Sequence, residues 1–162
     1  MINNGLTPAV GEVAWVSGRI LDSRGDPIRN ALVEIWGCDA NGVYLHTGDS
    51  ANRAKQDHHF QGFGRFLTGS SGECLFRTIK PVPYVPRTSP IHFKVRRGSQ
   101  KLLTAQLYIK GHPGNAKDAI WKELKTAREQ AAVTVSFKPI RGSKAGELAA
   151  RFDLVMGLTP QA

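Results

Sequence analysis

Val13-Ala14-Trp15-Val16-Ser17-Gly18-Arg19-Ile20-Leu21-Asp22, the turn Ser23-Arg24-Gly25-Asp26-Pro27 and the run Ala31-Leu32-Val33-Glu34-Ile35-Trp36 decide the fold. Apolar and polar side chains alternate through both runs, the period of a strand with one face in a core. Working outward, the same character returns in Arg65-Phe66-Leu67-Thr68, in Gly72 to Ile79, in Ile91 to Val95 and in Leu102 to Ile109. It returns again in Val133 to Phe137 and in Ala150 to Val155, while Arg97-Gly98-Ser99 reads as a hairpin turn. One segment differs. Asn115 to Ala131 carries Ala119, Ile120, Leu124 and Ala127 as an apolar stripe, so the spacing predicts a helix there. With 17 Gly and 9 Pro punctuating short apolar runs, the pattern predicts an all-β sandwich of mostly antiparallel strands with one short helix and long loops.

The length of 162 residues suits a single domain spanning 1–162. Hydrophobic content of 41% with 22% charged residues is that of a folded globular chain and argues against disorder. No apolar stretch approaches a membrane span, and Met1-Ile2-Asn3-Asn4-Gly5 lacks the charged and apolar regions of a secretory signal. The expectation is a cytoplasmic protein without membrane partners. The net charge of +9 is spread from Arg19 to Arg151, with Lys94, Arg96 and Arg97 as the densest group. A nucleic-acid binder concentrates such charge on one face, so no nucleic-acid partner is expected. A diffuse basic surface can instead draw in an anionic substrate such as an aromatic carboxylate. Cys38 and Cys74 have no CxxC spacing and read as reduced core thiols.

Chemistry concentrates in two irregular stretches. Gly37 to Gly64 is a long polar loop with turn chemistry at Asn41-Gly42, and long loops on compact scaffolds tend to carry function. Pro81-Val82-Pro83-Tyr84-Val85-Pro86 excludes a helix or a central strand and holds Tyr84 stiffly. The hard-donor candidates are Tyr44, Tyr84 and His92. A phenol ionises near pH 10 unless a strong positive charge such as a metal lies beside it. Each tyrosine alone is more often a half-buried aromatic with a hydrogen-bonded hydroxyl.

The words around these residues say more. Gly18-Arg19-Ile20-Leu21-Asp22, Gly25-Asp26-Pro27-Ile28, Ala31 to Trp36, Ala40-Asn41-Gly42-Val43-Tyr44, Phe60-Gln61-Gly62-Phe63-Gly64-Arg65, Phe76-Arg77-Thr78-Ile79-Lys80-Pro81 and Ile91-His92-Phe93 follow in that order. The series resembles the intradiol ring-cleavage dioxygenases, above all the protocatechuate 3,4-dioxygenase branch, over roughly residues 11 to 155. Phe76 to Pro81 followed by Pro83-Tyr84 is the specific part, whereas the Gly18 and Gly25 words occur in many prealbumin-like sandwiches. The resemblance implies a prealbumin-like/immunoglobulin-like β-sandwich. It also implies a non-heme Fe(III) cofactor that opens a catechol, with a protocatechuate-like ring in range, to a muconate-type diacid using O2.

Residue by residue, the resemblance assigns Tyr44, Tyr84 and His92 as iron ligands, with Tyr84 leaving as substrate binds. Arg87 matches an arginine over the substrate ring, and Gln106 matches a polar residue beside it. One ligand departs from the pattern: in Arg87-Thr88-Ser89-Pro90-Ile91-His92-Phe93 the first histidine of the family's pair is Pro90, which offers no donor atom. His46, His58 and His59 are the loop candidates to compensate, and His112 reads as surface. Two other readings stay open. The chain is a degenerate homologue that binds aromatics or sits beside an active subunit, or it is a metal-free structural module. Self-association into a homo-oligomer also stays open.

Overall fold

The computed structural model describes residues 7–45, 50–83 and 88–162. Ten strands and one α-helix follow in chain order: β1 (Val13–Leu21), β2 (Leu32–Trp36), β3 (Phe63–Leu67), β4 (Glu73–Ile79), β5 (Ile91–Arg97), β6 (Gln100–Ile109), α1 (Ala127–Val133), β7 (Thr134–Val135), β8 (Lys138–Pro139), β9 (Leu148–Arg151) and β10 (Leu154–Val155). They form two five-stranded sheets. One has the order β3-β2-β5-β6-β7, and the other is built around β1. The expected β-sandwich is what the chain forms, including the β5–β6 hairpin around Gly98.

In the sheet built around β1, β4 lies antiparallel to β1 from Val13 to Arg19, while β9 and then β10 run parallel to it. The break between β9 and β10 falls at Phe152 and Asp153. There the Phe152 N–H donates to Ser17 O at 2.8 Å and the Arg19 N–H to the Asp153 carboxylate at 2.9 Å. Gly18 stands opposite that break. A Cβ placed on it would sit 1.9 Å from Phe152 O, so only glycine lets the two backbones meet.

Alternation places Val16, Ile20, Val33, Ile35, Phe93, Val95 and Leu107 between the sheets, all at 3% exposure or less. The Phe93 ring sits edge-on to Phe152 at 5.1 Å and to Phe76 at 6.4 Å, tying both sheets through one aromatic cluster. Burying such side chains contributes about 1.5–3 kcal/mol each, which makes this cluster the main source of cohesion.

The helix expected over 115–131 is instead two 3-10 turns, Asn115–Lys117 and Trp121–Glu123, followed by the seven-residue α1. Two side chains compete with a continuous helix. Asp118 stays extended and its Oδ1 accepts the N–H groups of Ile120 and Trp121 at 3.0 and 3.2 Å. Thr126 then starts α1 as an N-cap, with Glu129 returning the bond in a capping box. The apolar stripe was real, but the carboxylate and the cap cut it.

Candidate active site

The solvent-side face of the β3-β2-β5-β6-β7 sheet carries Trp36, His92 and Gln106 in one row. Trp36 is the register partner of His92 on β2, and Gln106 its partner on β6. The Trp36 and His92 rings stack with centroids 5.2 Å apart and planes 4° from parallel, so indole backs the imidazole and fixes its plane.

Tyr44 reaches this row from the long loop after β2. Its Oη lies 3.2 Å from His92 Nε2, with the rings edge-to-face at 5.9 Å. The loop is bent there by chemistry visible in Asp39-Ala40-Asn41-Gly42. Gly42 takes φ +77, a left-handed conformation that suits glycine, and its N–H donates to Asp39 O at 3.0 Å. The Asp39 side chain, 1% exposed, does the rest. Its Oδ1 accepts the N–H groups of Asn41 and Val43, both at 2.9 Å, and its Oδ2 accepts that of Asp57 at 2.7 Å. Asp57 in turn accepts the N–H groups of His59 at 2.9 Å and Val10 at 2.7 Å. Two buried carboxylates thus pin both ends of the loop that presents Tyr44.

Gln106 is also buried and tied down. Tyr108 Oη lies 2.8 Å from Gln106 Oε1 and 3.0 Å from Asp118 Oδ1, and its single hydrogen serves one of them at a time. Thr88 Oγ1 donates to Asp118 Oδ2 at 3.5 Å, so the same carboxylate touches the segment that leads through Pro90 to His92. Trp36, Asp39 and the Asp118–Tyr108 pair were not singled out from the sequence. Only Asp39 carried a local signal, as an Asp two residues before Asn-Gly.

Of the sequence-derived candidates, the structure brings together Tyr44, His92 and Gln106. Tyr84, Arg87 and His46 lie outside the described residues. His58 and His59 are exposed. His112 is half-buried rather than at the surface, with Nδ1 accepting the Gly114 N–H at 3.0 Å. Cys38 and Cys74 are free, buried thiols. Burial pushes Cys74 up to about 12 and raises Cys38 as well, with the Ser89 hydroxyl partly offsetting the latter.

Tyr44 and His92 suit a ferric ion. A phenolate oxygen and an imidazole nitrogen are donors iron accepts. Neighbouring donors about 2.1 Å from one metal stand roughly 3.0–3.4 Å apart, which brackets their 3.2 Å separation. Pro90 contributes no donor to such a set. Among the described residues no group of three or more His, Cys, Asp or Glu side chains could hold a metal.

The chain is 39% identical over 123 residues to the protocatechuate 3,4-dioxygenase beta chain of Burkholderia cepacia, covering 70% of this chain and 51% of that one. It is 27% identical over 149 residues to catechol 1,2-dioxygenase 1 of Acinetobacter lwoffii, covering 81% and 44%. The chain therefore spans about half the length of the curated relatives it matches. Among solved structures, the dioxygenase domain of a dioxygenase carbohydrate-binding fusion from Streptomyces sp. SirexAA-E superposes with a TM-score of 0.69 at 28% identity, over 93% of this chain and 83% of that one. Catechol 1,2-dioxygenase from Acinetobacter sp. ADP1 superposes with a TM-score of 0.68 at 25% identity, over 96% and 55%. Residues 2–157 match the Dioxygenase family profile, and with these relatives and this sandwich the chain belongs to the intradiol ring-cleavage dioxygenases.

Proposed function

We propose that this protein opens the ring of a catechol between its two hydroxyl-bearing carbons, adding both atoms of O2 to give a muconate-type diacid. The observation that carries the reading is the 3.2 Å approach of Tyr44 Oη and His92 Nε2, residues 48 positions apart, on the family's fold. A non-heme ferric ion held by Tyr44, Tyr84 and His92 would supply Lewis acidity toward the catechol oxygens. Tyr84 Oη would take a catechol proton as the substrate binds. Arg87 sets a positive charge against negative charge developing on the ring. Gln106, held by Tyr108, orients the ring beside His92. Trp36 keeps the His92 imidazole from turning and covers one of its faces. The basic surface favours the approach of anionic aromatics, protocatechuate among them. Residues 1–162 act as one domain in the cytoplasm.

Pro90 favours a second reading, a degenerate member of the family that binds aromatics without turning them over. Metal analysis, a visible spectrum and oxygen uptake separate the two. The enzyme reading expects iron near one per chain, a phenolate-to-iron band that colours the protein burgundy, and oxygen uptake with catechol or protocatechuate. Colourless, iron-free protein that takes up no oxygen after iron loading overturns it in favour of the second.

A further inference from the structure

The β8–β9 ladder is cut short. β8 meets β9 at two rungs, Lys138 with Ala149 and Pro139 with Leu148. The next rung would join Ser136 to Arg151, and among the described residues it is not formed. The chain bends away at Ser136 because Thr134 and Val135 belong to the opposite sheet, where they pair with β6 and Val135 O accepts the Lys110 N–H at 2.8 Å. The two limbs, residues 134–138 and 149–151, border a cavity of about 470 Å³, within the ~300–1,000 Å³ of small-molecule sites. Lys110 on its wall is four residues beyond Gln106. At about 3.3 Å per residue, that puts it roughly 13 Å along the chain from the His92–Gln106 pair, apart from the candidate active site.

The lining is cationic on both walls. Ser17 is the register partner of Arg151, and Ala149 that of Lys138, so these four side chains share one face of the sheet. Small Ser17 and Ala149 make a floor, and Lys138 and Arg151 are diagonal neighbours across it, with backbones about 7–8 Å apart. Lys110 stands on the facing wall beside Ser136. The acids on either side of β9 are already engaged: Asp153 with Arg151 Nε at 3.2 Å and Glu147 with Arg77 at 3.7 Å. Among the described residues Lys110 and Lys138 form no ion pair. The main chain adds a donor. The Phe152 N–H is bonded to Ser17 O, so the Arg151 N–H, one residue earlier, points to the other edge, where the missing rung leaves it without a strand partner. Three cations around one concavity raise its potential, and an anion that enters relieves their mutual repulsion.

We infer that the fork between β9 and the β7–β8 segment is a second binding site, for a small organic dianion. One anionic group lies over the Ser17–Ala149 floor between Lys138 and Arg151 and accepts the Arg151 N–H. The other reaches Lys110 on the facing wall. The volume is many times the roughly 30 Å³ share of one water, so it suits a molecule with two separated charges better than a single inorganic ion. Carboxylates and phosphate monoesters share this chemistry. The diacid released by the proposed reaction is one such anion, yet the site stands or falls without that reaction.

Calorimetric titration at low salt with cis,cis-muconate, 3-phosphoglycerate and sorbate tests this without turnover. Sorbate has muconate's six-carbon skeleton with one carboxylate, and 3-phosphoglycerate pairs a carboxylate with a phosphate. Wild type should bind at least one of the dianions about tenfold more tightly than sorbate, and the tighter of the two shows which anionic group the site prefers. Lys110→Ala, Lys138→Ala and Arg151→Ala should each weaken that dianion about three- to tenfold. Ala149→Leu fills the floor without changing charge and should weaken it at least as much. Arg97→Ala, which removes an exposed charge from the β5–β6 hairpin, should leave it unchanged. Circular dichroism confirms that each variant is folded, and the three charge variants carry the test if Ala149→Leu is not. Equal weakening by Arg97→Ala would mean diffuse attraction to a basic surface and overturns the inference. So does dianion binding that the fork variants leave unchanged, which places it elsewhere, or a failure of both dianions to bind below about 10 mM. Binding that follows the expected pattern in a protein that takes up no oxygen with catechol leaves this site standing and removes the ring-opening reading.

Discussion

Replacing Asp39 with alanine removes one carboxylate and strands three backbone N–H groups, those of Asn41, Val43 and Asp57. Val43 and Asp57 are 3% and 8% exposed, so water reaches these amides poorly. Hydrogen bonds to a charged acceptor contribute about 1.5–3 kcal/mol each, and partial relaxation of the loop recovers some of that. We therefore expect a net loss of about 3–5 kcal/mol, against total stabilities of about 5–15 kcal/mol. For a chain of this size the loss lowers Tm by about 8–15 °C. Asp39→Asn keeps the Oδ1 bonds to Asn41 and Val43 but turns an NH2 toward the Asp57 N–H, so its loss should be about 1–3 kcal/mol. Thermal and urea unfolding give both values. Amide exchange at Asn41 and Val43 reports whether the turn before Tyr44 opens ahead of the core. An Asp39→Ala protein melting within about 2 °C of wild type would falsify the claim that this carboxylate holds the loop.

Three further outcomes follow from the structure. Gly18→Ala should cost about 3 kcal/mol or more, because its Cβ meets Phe152 O at 1.9 Å in a crossing of two backbones; denaturant unfolding checks this, and a near-neutral result sinks that account of the glycine. Cys74 is raised from the ordinary 9.0 to about 12, so between those values the unfolded chain loses this proton while the folded chain keeps it. Stability should accordingly fall as pH rises from 9 toward 12, and neither thiol should react with a disulfide reagent at pH 8 until the protein is unfolded. Pro90→His should raise iron bound per chain, measured by elemental analysis after dialysis, because imidazole adds a donor where proline has none. Equal iron in both proteins would mean that a ligand at this position is not what limits binding.

Much of the sandwich was legible because period-two alternation is a direct record of burial: Val16, Ile20, Val33 and Ile35 announce the core face of β1 and β2 without any knowledge of their neighbours. Strand partners were less legible. That β9 and β10 run parallel to β1 depends on contacts over 130 residues away, which no local pattern encodes. The expected helix failed for a local reason that could have been weighed: Asp118 and Thr126 are residues that capture nearby N–H groups. At the site, Tyr44, His92 and Gln106 stood out by residue type and surrounding words. Trp36 did not, because a tryptophan closing a strand looks like any edge aromatic until its register partner is known to be His92.

The pairing of β1 with β9 and β10 also sets a timetable for synthesis. As the chain leaves the ribosome, β1 can find β4 once about eighty residues are out, but its other edge waits for residues 148–155. Until then the core lacks Phe152, one of the two rings that meet Phe93 from the opposite sheet, and a strand edge of alternating apolar residues stays open. Contacts of such sequence separation form slowly because the intervening loop must close first. A nascent chain stalled before residue 148 should therefore be the species most prone to aggregate and to engage chaperones, and release past residue 155 the event that hides it.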